Sequence, residues 1–149
     1  NLAAFEPEEL RERVTQSWER EKHVTTEEEV ASLLSDQLPF HFGDPRDPRI
    51  AEFERRTDGA AYSPDVLRHF ANAEYGGIEV EERLGTVTQP VLVLAGRRDR
   101  TCSLAAAEVI AAALPDAELV VFEESGHMTF VEENERYLEV VRDFLDRLR

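Results

Sequence analysis

Residues 90–99 read PVLVLAGRRD, an uninterrupted apolar run that ends in a glycine and three charged residues. A second run of this kind, AELVVFEESGH, covers residues 117–127 and ends in Ser-Gly-His. Apolar runs of this length and composition predict strands buried on both faces, as in a parallel sheet. The segment between them, residues 103–116, begins with a serine suited to a helix N-cap and ends in Pro-Asp, which predicts a connecting helix.

The last segment, NERYLEVVRDFLDRLR at 134–149, places six apolar side chains on one helical stripe. Residues 86–149 are therefore predicted to be a β-α-β-α part of an α/β fold with a parallel sheet. Two such strands are not expected to form a sheet alone, because their outer edges would leave backbone N–H and C=O groups unpaired. We therefore expect additional strands in the complete fold.

Residues 1–85 have few β-branched runs and are predicted to form a separate helical module. Three helix-start patterns occur in it: Pro followed by two glutamates, a Thr-x-x-Glu capping box, and Ser-Pro-Asp. These patterns begin at residues 7, 26 and 63. Adjacent glycines, Gly76 and Gly77, are expected to end the last of these helices.

The bulk composition excludes several classes of protein. The chain has 149 residues and a formal net charge of -15, which disfavours nucleic acid and anionic membranes as partners. No apolar run approaches the roughly 20 residues of a membrane helix, and the first residues do not resemble a signal peptide. The single cysteine excludes an internal disulfide, so we expect a cytoplasmic protein.

Asp99 and His127 each follow one of the two predicted strands. Ligand sites in open α/β sheets lie beyond the carboxyl ends of the strands, and neighbouring strands are about 4.8 Å apart. We therefore expect the two side chains to reach hydrogen-bond distance. A carboxylate in that position would orient the imidazole, leaving its other ring nitrogen to act as a general base.

The order Asp then His, in PVLVLAGRRD and ALPDAELVVFEESGHMTFVEE before a terminal helix, resembles the C-terminal part of an α/β-hydrolase of the proline iminopeptidase-like group. Residues 1–85 resemble the helical cap of that family. The resemblance implies a serine nucleophile on a Gly-x-Ser-x-Gly elbow, no cofactor and no metal. No Gly-x-Ser-x-Gly occurs in the sequence. We therefore expect this chain alone to be inactive and to need the N-terminal half of the fold, from the same or a companion chain.

The resemblance also implies residues that bind a small-molecule or short-peptide substrate. Cys102 follows the acid by three residues, as in one branch of the iminopeptidases, although a small residue at a helix start is an equal interpretation. A nucleophilic role for this thiol is disfavoured. Glu74 and Tyr75 are the cap residues expected to face the substrate, against the alternative of a solvated helix end. Met128 and Phe130 are expected either to line the pocket or to pack in the core.

One departure from the iminopeptidase pattern affects the substrate. Arg100 stands where some members carry an acidic residue, and it follows Arg97 and Arg98. A cationic rim of this kind would repel a substrate ammonium group. The leading hypothesis is a serine hydrolase of a small peptide, amide or ester. The alternatives are an esterase, an epoxide hydrolase, a dehalogenase or a non-catalytic ligand-binding protein. The remaining histidines, including His41, have no metal-ligand spacing and are assigned no role.

Overall fold

The computed structural model describes residues 2–76 and 79–149, which form two compact units. The first unit contains Asn1–Phe40 and Pro45–Glu79, and the second contains His41–Asp44 and Val80–Arg149. The sequence-based division into a cap at 1–85 and a core at 86–149 stays a prediction. None of the helices in the described part of the chain is long and apolar enough to span a bilayer.

The first unit is helical, as predicted. Its elements are a 3₁₀ helix Leu2–Ala4, α1 Glu8–Glu21, α2 Glu27–His41, α3 Arg49–Thr57 and α4 Pro64–Asn72, with the last residue of α2 assigned to the second unit. The predicted capping box is present, because the Glu29 N–H donates to Thr26 Oγ1 and the Thr26 N–H donates to the Glu29 carboxylate, both at 3.2 Å. The predicted cap of α4 is also present, with Ser63 Oγ accepting from the Val66 N–H.

Two apolar clusters hold this unit together. Phe40 is 2% exposed, and its ring packs edge-to-face against Phe5 and Trp18 at centroid distances of 5.1 and 5.2 Å. Val14 completes the first cluster from α1. Each large apolar side chain buried in this way contributes about 1.5–3 kcal/mol. The second cluster consists of Val24, Val30 and Leu33.

The end of α4 differs from the prediction. The helix ends at Asn72 rather than at the glycines, and Glu74 and Tyr75 adopt left-handed φ angles of 50° and 54°. Left-handed backbone is unusual for residues other than glycine. The turn is held by the Tyr75 hydroxyl, which donates to the Glu21 carboxylate at 2.7 Å. Gly77 lies outside the described residues.

The second unit contains the predicted β-α-β-α arrangement. Its elements are α5 Glu81–Leu84, β1 Val91–Gly96, α6 Leu104–Ala113, β2 Ala117–Phe122, α7 Thr129–Glu132 and α8 Asn134–Asp146. The two strands are parallel, and their register runs from Val91 opposite Ala117 to Gly96 opposite Phe122. The short helices α5 and α7 were not predicted, because four-residue helices carry too little periodicity to recognise.

Several large apolar side chains of this unit are exposed. On α8, Leu138 and Leu145 have exposed fractions of 41% and 51%, and Leu148, just after the helix, is 50% exposed. On α6 the fractions are 52% for Val109 and 41% for Ile110. The predicted stripe of α8 is therefore only partly covered within residues 2–76 and 79–149. The sheet formed by these residues has two strands. Both observations agree with the expectation that further elements complete the fold.

Candidate active site

The two strands end side by side, and the candidate acid and base follow them. Gly96 is paired with Phe122 at the ends of β1 and β2. Beyond these residues, Nδ1 of His127 lies 2.9 Å from Oδ2 of Asp99. The structure thus brings together the two side chains that the sequence placed at the carboxyl ends of adjacent strands. With Nδ1–H donating to the carboxylate, Nε2 of a neutral imidazole is a proton acceptor.

Asp99 is the fixed member of the pair. Its side chain is 7% exposed, and its Oδ1 accepts the backbone N–H groups of Thr101 and Cys102 at 2.8 and 2.9 Å. Burial alone would raise the pKa of Asp99. The hydrogen bond with His127, the two backbone donors and the His127 charge outweigh burial and hold that pKa below its usual value. The carboxyl group is therefore ionised at neutral pH.

His127 is the accessible member of the pair. Its side chain is 38% exposed. The hydrogen bond to Asp99 raises the pKa of His127, burial opposes the rise, and the negative charge of Asp99 adds to it. The carboxylate therefore makes the imidazole a stronger base and stabilises the imidazolium that forms when it takes a proton.

A close approach of backbones fixes the acid and base loops against each other. The Arg97 N–H donates to the Phe122 carbonyl at 2.8 Å, and the Arg98 N–H donates to the Ser125 carbonyl at 2.9 Å. A Cβ atom at Gly96 would lie 1.9 Å from the Gly126 carbonyl oxygen, which no side chain could tolerate. Glycine at the end of β1 is therefore a requirement of the site geometry.

A third segment, His41–Asp44, also contacts the base loop. The His127 N–H donates to the His41 carbonyl at 2.7 Å, and the two imidazole rings lie 5.3 Å apart between centroids. A Cβ atom at Gly126 would lie 2.6 Å from both Gly43 N and His41 O. The sequence analysis assigned His41 no role, because a contact so distant along the chain has no local pattern. The glycines at 43 and 126 were the available signal of a close backbone approach.

Two carboxylates at the junction of α7 and α8 complete the support of this loop. Glu132 accepts the Gly43 N–H through Oε1 and the Gly126 N–H through Oε2, both at 2.8 Å. Glu133 accepts the Ser125 hydroxyl at 2.7 Å. Ser125 is fully buried, so its hydroxyl is a structural group and not a nucleophile. Neither glutamate was singled out from the sequence.

The three arginines near the acid are engaged within the unit. Arg97 forms a two-bond ion pair with Glu123 at 2.8 Å, and Arg98 pairs with Glu124. Arg100 donates to the carbonyls of Phe42 and Gly43 at 2.6 and 3.0 Å. The cationic rim expected from the sequence is therefore largely neutralised. Arg97 and Arg98 therefore do not argue against a substrate that carries an ammonium group.

Cys102 lies beside the pair and is exposed. Although the residue is exposed, partial desolvation of the thiol raises the pKa of Cys102, and the charge of Asp99 adds to the rise. Both effects disfavour the thiolate and hence a nucleophilic role. One ligand atom each from Asp99, Cys102 and His127 lies within 4.8 Å of the others. Oxygen, sulfur and nitrogen could hold a transition-metal ion. Two of these side chains are already hydrogen-bonded to each other, through His127 Nδ1 and Asp99 Oδ2.

The other predicted substrate residues are distributed between the units. Met128 is half-buried at the start of α7, and Phe130 is 41% exposed and packs edge-to-face on Tyr137. Glu74 and Tyr75 lie in the first unit, where Glu74 is 3.8 Å from the Lys22 ammonium. The substrate-binding role of these four residues, and that of Cys102, stays a prediction.

Comparison with known proteins supports the fold from both sequence and structure. Residues 74–149, just over half of the chain, match the family of TAP-like proteins. A proline iminopeptidase of Saccharolobus solfataricus is 36% identical over 70 residues, which are 47% of this chain and 22% of the relative. A 2-hydroxy-6-oxononadienedioate/2-hydroxy-6-oxononatrienedioate hydrolase of Dechloromonas aromatica is 40% identical over 102 residues, or 62% of this chain and 34% of the relative.

Among solved structures, an esterase from Exiguobacterium antarcticum superposes with a TM-score of 0.69 at 23% identity, over 91% of this chain and 48% of the esterase. This likeness shows the fold. The chain therefore belongs to the α/β-hydrolases, and within them to the family of TAP-like proteins. It is similar to the proline iminopeptidases, of which it matches about a fifth to a third of the length.

Proposed function

We propose that this chain supplies the acid and the base of a serine-type α/β-hydrolase that acts on a small peptide, amide or ester, as in the proline iminopeptidases. The observation that carries the proposal is the 2.9 Å hydrogen bond between Asp99 and His127 at the ends of adjacent parallel strands. The order of acid before base along the chain is that of the α/β-hydrolases.

In the proposed reaction, Nε2 of His127 takes the proton of a serine hydroxyl as the serine oxygen attacks the substrate carbonyl carbon. The resulting imidazolium, stabilised by Asp99, returns the proton to the leaving amine or alcohol as the bond to the carbonyl breaks. A water molecule then attacks the acyl-serine. It gives one proton to His127, which passes that proton back to the serine oxygen when the acid is released.

The serine of this mechanism is not in the present sequence, in which no Gly-x-Ser-x-Gly occurs. We propose that the remaining part of the fold, in the same or a companion chain, supplies it and covers the exposed apolar side chains of α6 and α8. The chain alone is expected to be inactive. Residues 1–85 are proposed to act as the cap above the substrate. The mechanism uses no metal or cofactor, and a cytoplasmic location is proposed from the composition.

A second candidate reaction is hydrolysis of a 2-hydroxy-6-oxo dienoate-type compound. It is favoured by the 40% identity to the Dechloromonas aromatica hydrolase, and a hydrolase of this kind from Rhodococcus also shares the fold. Both candidates use the same acid and base, so the Asp99–His127 geometry does not separate them. The preference of the complete protein among substrates separates the two candidates.

A labelling experiment on the complete protein tests the proposal. A fluorophosphonate probe, which reacts with activated serines, should label one serine, and His127→Ala should abolish the labelling. Kinetic assays with Pro-, Ala- and Leu-arylamides, p-nitrophenyl esters and a 2-hydroxy-6-oxo dienoate then identify the substrate class. An unlabelled complete protein would overturn the serine-hydrolase proposal, and a preference for the dienoate would favour the second candidate.

A further inference from the structure

His41 lies at a junction between the acid loop and the base loop. It is the last residue of α2 and begins the short segment that belongs to the second unit. On the base side, its carbonyl accepts the His127 N–H at 2.7 Å. Its ring also contacts the His127 ring, with centroids 5.3 Å apart and planes tilted by 50°. Both the backbone and the side chain of His41 therefore contact the candidate base.

On the acid side, His41 reaches the loop that orients Asp99. Its Nδ1 lies 3.1 Å from Thr101 Oγ1. The Thr101 backbone N–H donates in turn to Asp99 Oδ1 at 2.8 Å. One side chain is thus in contact with the base itself and with a residue that binds the acid.

The backbone around His41 is held from both neighbouring loops. Arg100 donates to the carbonyls of Phe42 and Gly43, and Glu132 accepts the Gly43 N–H. These contacts hold the backbone of the two residues that follow His41. The segment that carries His41 is therefore anchored on its C-terminal side.

We propose that His41 is a positioning residue that holds the acid and base loops together so that His127 Nδ1 stays aligned with Asp99. The proposal rests on the proposed function, since it assigns His41 a role in the same hydrolytic site. His41 does not touch the reacting atoms in this account. It acts through its contacts with His127 and Thr101.

The electrostatics of the pair are compatible with this role. Burial lowers the pKa of His41, the positive charge of His127 lowers it further, and Asp99 opposes both effects. The proton that His127 carries in the reaction therefore disfavours a second positive charge on His41. The ring contact is then not broken by repulsion between two imidazolium ions.

Three substitutions separate the contacts of the His41 side chain. His41→Phe keeps a ring beside His127 and removes the partner of Thr101. His41→Asn keeps a polar group near the position of Nδ1 and removes the ring, whereas His41→Ala removes both. His23→Ala, at an exposed histidine of the first unit, is the matched control. Thermal unfolding identifies any variant that does not fold.

In the complete protein, His41→Ala is expected to lower kcat by up to about 10²-fold, the loss that a misplacement near 1 Å can cause. KM should change little, because the ground-state contacts of the substrate are retained. His41→Phe and His41→Asn should each retain part of the lost rate, and His23→Ala should match the wild type. An unchanged kcat in folded His41→Ala would overturn the proposal.

Proton NMR provides a readout that does not depend on hydrolytic activity. The His127 Nδ1–H, bonded to a carboxylate, should give a downfield and slowly exchanging resonance that broadens in His41→Ala and persists in His23→Ala. If this pattern is found in a protein without hydrolase activity, the proposed function fails while the positioning role stands. A wild type without the resonance, or a resonance unchanged in His41→Ala, contradicts the positioning role.

Discussion

Nδ1 of His127 lies 2.9 Å from one oxygen of the Asp99 carboxylate, and the other oxygen of that carboxylate accepts two backbone N–H groups. Both carboxylate oxygens are thus occupied by donors, which leaves the side chain one orientation. A carboxylate held in this way orients the imidazole ring and fixes which nitrogen carries the proton. Asp99 and His127 therefore form a preorganised acid–base pair.

Asp99→Asn should change both the rate and the pH dependence of hydrolysis. His127 must be neutral to accept a proton, and Asp99 raises its pKa above 6.5, so wild-type activity should fall as the pH drops through a value above 6.5. Without the carboxylate, the pKa of His127 should be lower, so the acidic limb of the pH–activity profile should move to lower pH. The value of kcat should fall by roughly 10³–10⁴-fold, because the imidazolium loses its partner.

The pH profile of kcat/KM for the complete protein checks this prediction, with thermal unfolding to confirm that the variant folds. If the acidic limb of the profile stays at the same pH in Asp99→Asn, a group other than His127 controls the pH dependence.

Glu132→Gln should loosen the base loop. The two oxygens of Glu132 accept the N–H groups of Gly43 and Gly126, and a glutamine amide can accept only through its single oxygen. One buried N–H then loses its acceptor, at a cost of about 1–3 kcal/mol in the free energy of unfolding. Denaturant unfolding measures the cost. Glu139→Gln, on the exposed face of α8, is the control, and equal losses in both variants would contradict the bridging role.

Gly126→Ala should displace the segment that contacts His127. The added Cβ would lie 2.6 Å from both Gly43 N and His41 O, which are backbone atoms that cannot rotate away. Overpacking of this kind costs about 1–3 kcal/mol. Gly85→Ala is the control, since a Cβ there would lie 3.9 Å from the Ala113 carbonyl oxygen, an ordinary van der Waals distance. Unfolding measurements and a crystal structure of Gly126→Ala check the prediction, which a native-like stability would contradict.

Tyr75→Phe distinguishes a structural from a substrate-binding role for Tyr75. Its hydroxyl donates to Glu21, which is 5% exposed and also accepts from the Gln37 amide. Loss of the hydroxyl should destabilise the protein by about 1–3 kcal/mol, because a buried carboxylate loses one of its donors. Tyr62→Phe, in the same unit, is the control.

A second measurement uses the tyrosine titration. Burial, the hydrogen bond to Glu21 and the Glu21 charge all raise the pKa of Tyr75, so its phenolate absorbance should appear at higher pH than is usual for a tyrosine. A raised KM with unchanged stability in Tyr75→Phe would instead favour the substrate-binding prediction.

The elements that the sequence predicted well are those with local signals. The strands at 91–96 and 117–122 are continuous apolar runs, and the starts of α2 and α4 carry cap residues whose hydrogen bonds are present. The meeting of Asp99 and His127 was also predictable, because parallel strands end at the same edge of a sheet. These features depend on sequence periodicity and on short loops.

The features that were missed depend on contacts between distant segments. No local pattern connects His41 with His127, or Arg100 with the carbonyls of Phe42 and Gly43. The charge of Arg100 was therefore interpreted as part of a solvent-facing rim. The end of α4 was misplaced for a similar reason, because the hydrogen bond from Tyr75 to Glu21 stabilises a left-handed turn that the glycine rule does not anticipate.

The measurement that tests the central claim most directly is kcat/KM of the complete protein with His127→Ala, on the best substrate found by the assays above. Because the nucleophile would lose its general base, the account predicts a loss of at least about 10³-fold, with the exposed His69→Ala variant close to the wild type. Full activity in a folded His127→Ala variant would contradict the assignment of His127 as the base.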